Sequence, residues 1–186
     1  MFATYLELGI THILDMNGLD HLLFLVVLVI GYQLSEWKSV ILLATAFTVG
    51  HSITLALAAI ELVKVNSNWI EMLIAASIAL TAAYNLAASP EKSGGKLRYA
   101  AALLFGLIHG LGFSNYFRAI LGTDSIVLPL LSFNLGVELA QVIIVVVVLL
   151  ISTLILKLIR NSRKPLIYVT SGAVLIWALR MVVERW

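Results

Sequence analysis

Cysteine is absent from the 186 residues. That excludes disulfides, thiolate nucleophiles and sulfur-rich metal cages, and leaves imidazole, carboxylate and amide groups as the available ligands. Charge is scarce too. Only 12% of the residues are charged against 61% hydrophobic, and a mean hydropathy of +1.04 excludes an ordinary soluble domain. The net charge is +2, and no basic block is dense enough to imply a nucleic-acid partner. The opening MFATYLELGITHILD lacks the basic n-region and small-residue cleavage site of a secretory signal, so it is expected to stay on the mature protein.

What is present is a recurring apolar run. A bilayer core of about 30 Å needs about 20 apolar residues in a helix, and six windows meet that requirement. They cover 18–34, 38–61, 69–88, 97–117, 126–156 and 166–183, and the long fifth window must tilt or protrude. The expectation is therefore an all-α polytopic membrane protein, a six-helix transmembrane bundle forming one domain over residues 1–186. The punctuation agrees. Asn68 with Glu71 reads as a capping box, Thr123-Asp124-Ser125 offers further caps, and Pro129 and Pro165 fall near helix starts, where proline is tolerated. SPEKSGGK, Ser89 to Lys96, is the clearest loop. Lys38, Lys92, Lys96, Arg98, Lys157, Arg160, Arg163 and Lys164 lie on one side of this topology. Only Lys64, Arg118, Arg180 and Arg185 lie on the other. The positive-inside rule then places both termini outside the cytoplasm, in a multi-pass protein of the inner (cytoplasmic) membrane.

Ionisable groups are costly in hydrocarbon, about 2.5–3.5 kcal/mol each on insertion scales, and mark function when they occur there. All four histidines of this chain lie in polar islands. THILDMNGLDH holds His12, Asp15, Asp20 and His21; FTVGHSITL holds His51; FGLIHGLGFS holds His109; FNLGVELAQ holds Glu138. A helical rise of about 1.5 Å per residue puts His51, His109 and Glu138 each about 18–20 Å deep, in one layer, with Asp20 and His21 nearer the outer surface. Thr48, His51, Ser52 and Leu55 form one helical stripe, Asn134, Glu138 and Gln141 a second, and Ser77, Thr81, Tyr84 and Asn85 a softer third. Gly106 and Gly110, with Gly112, allow close helix approach around His109. Imidazole plus carboxylate suits a borderline divalent cation such as nickel, cobalt, zinc or iron(II). Asp15, Asn134, Gln141, Thr48 and Asn85 are candidates to hold the second ring nitrogens.

Plainer roles stand beside these. An intramembrane histidine or hydroxyl also serves as interhelical glue, Glu138 also fits a structural ion pair, and Asp20 also fits a helix cap.

The four blocks, GITHILDMNGLDHLLF, FTVGHSITL, FGLIHGLGFS and FNLGVELAQ, together resemble those of the HupE/UreJ family. Its members are small membrane proteins associated with hydrogenase and urease maturation and regarded as nickel or cobalt permeases. The resemblance places the family's His and Asp motif on Asp20 and His21, with His12 upstream, and its other polar blocks on His51, His109 and Glu138. Where that pattern has His-Pro, this chain has Leu14-Asp15.

Three functions follow. A permease would capture a divalent nickel, cobalt or zinc ion with Asp20, His21 and His12 and pass it to His51, His109 and Glu138. A zinc-dependent intramembrane hydrolase would use His21, His51 and His109 as ligands, Asp20 or Glu138 as fourth ligand or base, and Ser52 as oxyanion donor. A purely structural subunit would bind no metal.

Overall fold

The computed structural model describes residues 1–16, 18–87, 96–121, 126–159 and 163–186. Its helices are α1 (Phe2–Leu14), α2 (Asp20–Val29), α3 (Trp37–Ala59), α4 (Ser67–Ala87), α5 (Lys96–Ile120), α6 (Val127–Ile159) and α7 (Arg163–Glu184), with a 3₁₀ turn at Leu34–Glu36 before α3. No strand occurs among the described residues. Five helices, α3 to α7, are long and apolar enough to cross a membrane, which makes this a multi-pass membrane protein. Their ends lie within a few residues of the expected windows, as at Ile120 for the expected 117.

The first expected span is different. Residues 18–34 form no single crossing helix. In their place stands the ten-residue α2, about 15 Å long at the usual rise and half the hydrocarbon thickness. After Asp20 and His21 its sequence, LLFLVVLV, is apolar on every face, the signature of a helix enclosed by protein. Phe24, Leu25, Val27, Leu28 and Val29 are all buried, at 3% exposure or less. Ahead of it lies α1, a helix outside all six expected windows, which packs along α6.

Together the two short helices lead from one end of the bundle to the other. At one end the Tyr5 hydroxyl donates to the Ile120 carbonyl at 3.0 Å, where α5 finishes. His12 lies deeper, its ring 3.9 Å from that of Phe113 on α5. At the opposite end Asn85, near the close of α4, donates from Nδ2 to the Val27 carbonyl of α2 at 2.6 Å.

Three helix pairs make the main contacts: α1 with α6, α3 with α5, and α4 with α7. Two of them are glycine seams. Between α3 and α5, a Cβ on Gly106 would overlap the Phe47 carbonyl oxygen and one on Gly110 that of His51; between α1 and α6, a Cβ on Gly9 would overlap the Phe133 carbonyl oxygen. Small residues at such crossings let backbones meet where lipid gives no hydrophobic drive.

The cap of α4 lies earlier than expected. Asn66 Oδ1, not Asn68, accepts an α4 backbone N–H, that of Asn68 at 3.0 Å, because the helix already starts at Ser67. Pro129 and Pro165 fall in the first turns of α6 and α7 as expected. Thr123-Asp124-Ser125, Ser89 to Gly95, Arg160 and Asn17 lie outside the described residues.

Candidate metal centre

The two glycine seams and the break between α1 and α2 deliver four histidines to one place. His12 comes from the last turn of α1, His21 from the first turn of α2, His51 from the middle of α3 and His109 from the middle of α5. Ring centroids lie 4.7 Å apart for His12 and His21, 6.0 Å for His12 and His51, 6.3 Å for His21 and His51, and 5.2 Å for His21 and His109. His12, His21 and His51 each offer one nitrogen, and these three atoms lie within 4.8 Å of one another. Aromatic rings wall the cluster. Phe113 and Phe133 stack at 5.0 Å beside His12, while Phe47 meets His109 edge-on at 5.0 Å.

Burial makes the arrangement chemically pointed. His51 is 0% exposed, His109 1% and His21 7%. Nε2 of His12, His21, His51 and His109 and Nδ1 of His51 are all buried with no hydrogen-bond partner. Buried polar atoms are nearly always satisfied, so this many orphaned ring nitrogens in one spot needs an explanation. A divalent cation supplies one, since neutral imidazole nitrogen is a common metal ligand. His109 has its ring fixed from behind: its Nδ1 lies 2.8 Å from the Phe105 carbonyl oxygen, which leaves Nε2 as its unpartnered nitrogen.

A cavity of about 760 Å³ leads in from the surface, lined by His12, Asp15, Asp20 and His21 with Phe113 and Tyr116. Tyr116 belongs to the end of α5 where Tyr5 meets Ile120.

Residues 1–185 match the family profile described as HupE / UreJ protein. The chain belongs to the HupE/UreJ family. No curated protein and no solved structure matches it.

In this HupE/UreJ protein the two candidate acids are placed differently from the histidines. Asp20 is one residue from His21 and lines the same cavity, but its carboxylate is engaged by Arg185 at 3.2 Å. Asp20 is the acidic residue of the first turn of α2, whose N-cap position is held by Leu19. Glu138, on α6, accepts the Thr45 hydroxyl at 2.6 Å through Oε1, while Oε2 is buried without a partner. Around it, Asn134 donates to the Leu130 carbonyl at 2.8 Å and leaves its own Oδ1 buried and unpartnered, and Thr48 donates to Gln141 Oε1 at 2.8 Å. These polar side chains form a column between α3 and α6 beside His51.

Several expected supporting roles fail on geometry. Asn85 is not behind a histidine. It sits at the far end of the bundle, bonded to Val27 and 3.4 Å from Ser171 Oγ. Ser52 donates to the Thr48 carbonyl of its own helix at 2.7 Å, a local bond that competes with an oxyanion role. His109 is held by a main-chain oxygen rather than by a side chain. Arg185 was missed entirely, because nothing local links it to a residue 165 positions away.

Proposed function

We propose that this HupE/UreJ protein is a permease for a divalent transition-metal cation, with nickel or cobalt as the favoured cargo and zinc within reach of the same donors. The supporting observation is the convergence of four histidines from separate helices with their Nε2 atoms buried and unpartnered. In this reading His12, His21 and His51 form the first resting place of the ion, His109 borders it, and the 760 Å³ cavity is its route from outside the cytoplasm.

The ligand chemistry favours passage over retention. Neutral imidazoles offer good donors to a borderline cation but bring no negative charge, so they hold a dication less firmly than thiolates would. Conduction requires such shallow binding. Glu138 supplies the missing charge one step further on: its free Oε2 and the unpartnered Asn134 Oδ1 are oxygen acceptors on one stripe of α6. Both termini lie outside the cytoplasm in this reading, in keeping with the lysine and arginine distribution.

The test is uptake. Cells expressing the chain should accumulate radiolabelled nickel or cobalt, and the His51→Ala form should not. Purified protein should exchange its metal within minutes. Equal uptake by the His51→Ala form overturns the proposal, as does a stoichiometric zinc ion that survives chelation.

A further inference from the structure

Arg185 follows directly on α7 and reaches back across the bundle to the start of α2. Its Nη1 donates to Asp20 Oδ1 and its Nη2 to Asp20 Oδ2, each at 3.2 Å, and Nη1 also donates to the Glu71 carbonyl of α4 at 3.2 Å. The side chains are only 24% and 17% exposed, so this two-pronged pair is largely withdrawn from water. Such fork-to-carboxylate contacts are the strongest that arginine makes. The ring of Trp186 packs edge-on against Trp69 at 6.2 Å and holds the last residues against α4.

The pair occupies a telling position. Asp20 is the carboxylate next to His21, and both line the cavity that reaches the histidine cluster. A dication arriving there meets the rings of His12 and His21, the Asp15 side chain on the cavity wall, and in Asp20 an acid already neutralised by a guanidinium. The arginine is thus a cation built into the chain at the place where the cargo would be drawn to a negative charge.

We propose that Arg185 is a tethered competitor for Asp20: the carboxylate joins the ion only when it leaves the guanidinium, and Arg185 thereby keeps the entrance site weak enough to release its cargo. This inference rests on the permease reading. While Arg185 holds Asp20, an ion among His12, His21 and His51 gains no charge from the acid next to His21. When Asp20 swings to the ion, the contact between α2 and the end of α7 is lost, so capture of the ion and loosening of the first helices are the same event.

The experiment is nickel(II) titration of the full-length purified protein by calorimetry, with R185Q, R185K, D20N and the D20N/R185Q double variant. Freeing an acid beside a histidine site should tighten nickel binding in R185Q by about tenfold or more, since ligand charge sets cation affinity. R185K, which holds a carboxylate with a single point charge, should fall between. In D20N/R185Q the gain should vanish, and nickel uptake by cells should slow in R185Q because release slows. A brace with no competing role predicts the reverse, weaker binding on loss of Arg185. Unchanged or weaker binding in R185Q therefore overturns the inference, and if R185Q fails to fold, R185K decides by the same sign. Failure of the unaltered protein to bind nickel removes the permease reading and this inference with it. Nickel binding that does not tighten in either arginine variant removes only the inference.

Discussion

Gly9 and Gly136 face each other where α1 crosses α6. A Cβ on Gly136 would lie 3.1 Å from the Gly9 Cα and would overlap the Leu6 carbonyl oxygen, and a Cβ on Gly9 would overlap the carbonyl oxygen of Phe133. The obstructing atoms are main chain, which cannot rotate aside. His12 lies three residues beyond Gly9, so this contact fixes where one of the clustered imidazoles sits.

Gly136→Ala should therefore push α1 away from α6 and withdraw His12. The expected cost is about 1–3 kcal/mol, the usual scale of overpacking. Gly172→Ala is the matched control, because a Cβ there meets nothing within 4 Å. Removing a helix-interior glycine should leave stability unchanged or raise it by up to about 1 kcal/mol. Thermal unfolding in detergent checks both, and equal midpoints for the two variants would contradict the steric account.

The second seam gives a parallel test. Gly106→Ala sets a methyl group against the Phe47 carbonyl of α3 and pries α5 outward, carrying His109 with it. Nickel affinity should fall although no ligand has been removed. Tight binding retained in Gly106→Ala would mean that His109 is not held in place by that crossing.

Much of this architecture could be read from residue order alone, and the exceptions have physical causes. Trp37–Ala59 to Arg163–Glu184 announce themselves because hydropathy sums over a whole span. Asp20–Val29 deceived the same sum: an apolar run looks alike whether lipid or protein surrounds it, and only the enclosing helices tell which. Phe2–Leu14 was invisible to it, since Glu7, Thr11 and His12 dilute a short helix whose place depends on Gly9 meeting Gly136. Counting turns from the helix starts brought His51, His109 and Glu138 to a common depth; the rings of His51 and His109 both lie beside His21, whereas Glu138 bonds Thr45, six residues from His51 along α3. The partner of Asp20 was beyond such counting, because ion pairs between distant segments depend on how helices are arranged laterally.

Within the cluster the histidines should not be equivalent. His51 belongs to the group of three whose nitrogens approach within 4.8 Å, whereas His109 joins through His21. His51→Ala should weaken nickel binding most, and His109→Ala should weaken it by about 10–100-fold, the scale of losing a supporting group. Equilibrium dialysis ranks them, and a larger loss for His109→Ala would move the centre of the site toward α5.

Glu138 and Thr45 separate chemistry from architecture. Glu138→Gln keeps an oxygen to accept the Thr45 hydroxyl, so the α3–α6 contact survives while the negative charge disappears. Nickel uptake should then fall at least tenfold, about 1.4 kcal/mol in a rate-limiting barrier, with little change in melting temperature. Thr45→Val does the opposite. It leaves the carboxylate without its hydroxyl donor, in surroundings where the other oxygen already has none, and should cost about 1–3 kcal/mol of stability. Because the acid itself remains, uptake by the folded fraction should persist. The crossed pattern is the signature of a carboxylate that serves the cargo. Were Glu138→Gln to lower stability as much as Thr45→Val while leaving uptake intact, Glu138 would be a packing residue, and the ion would need another source of negative charge below His51.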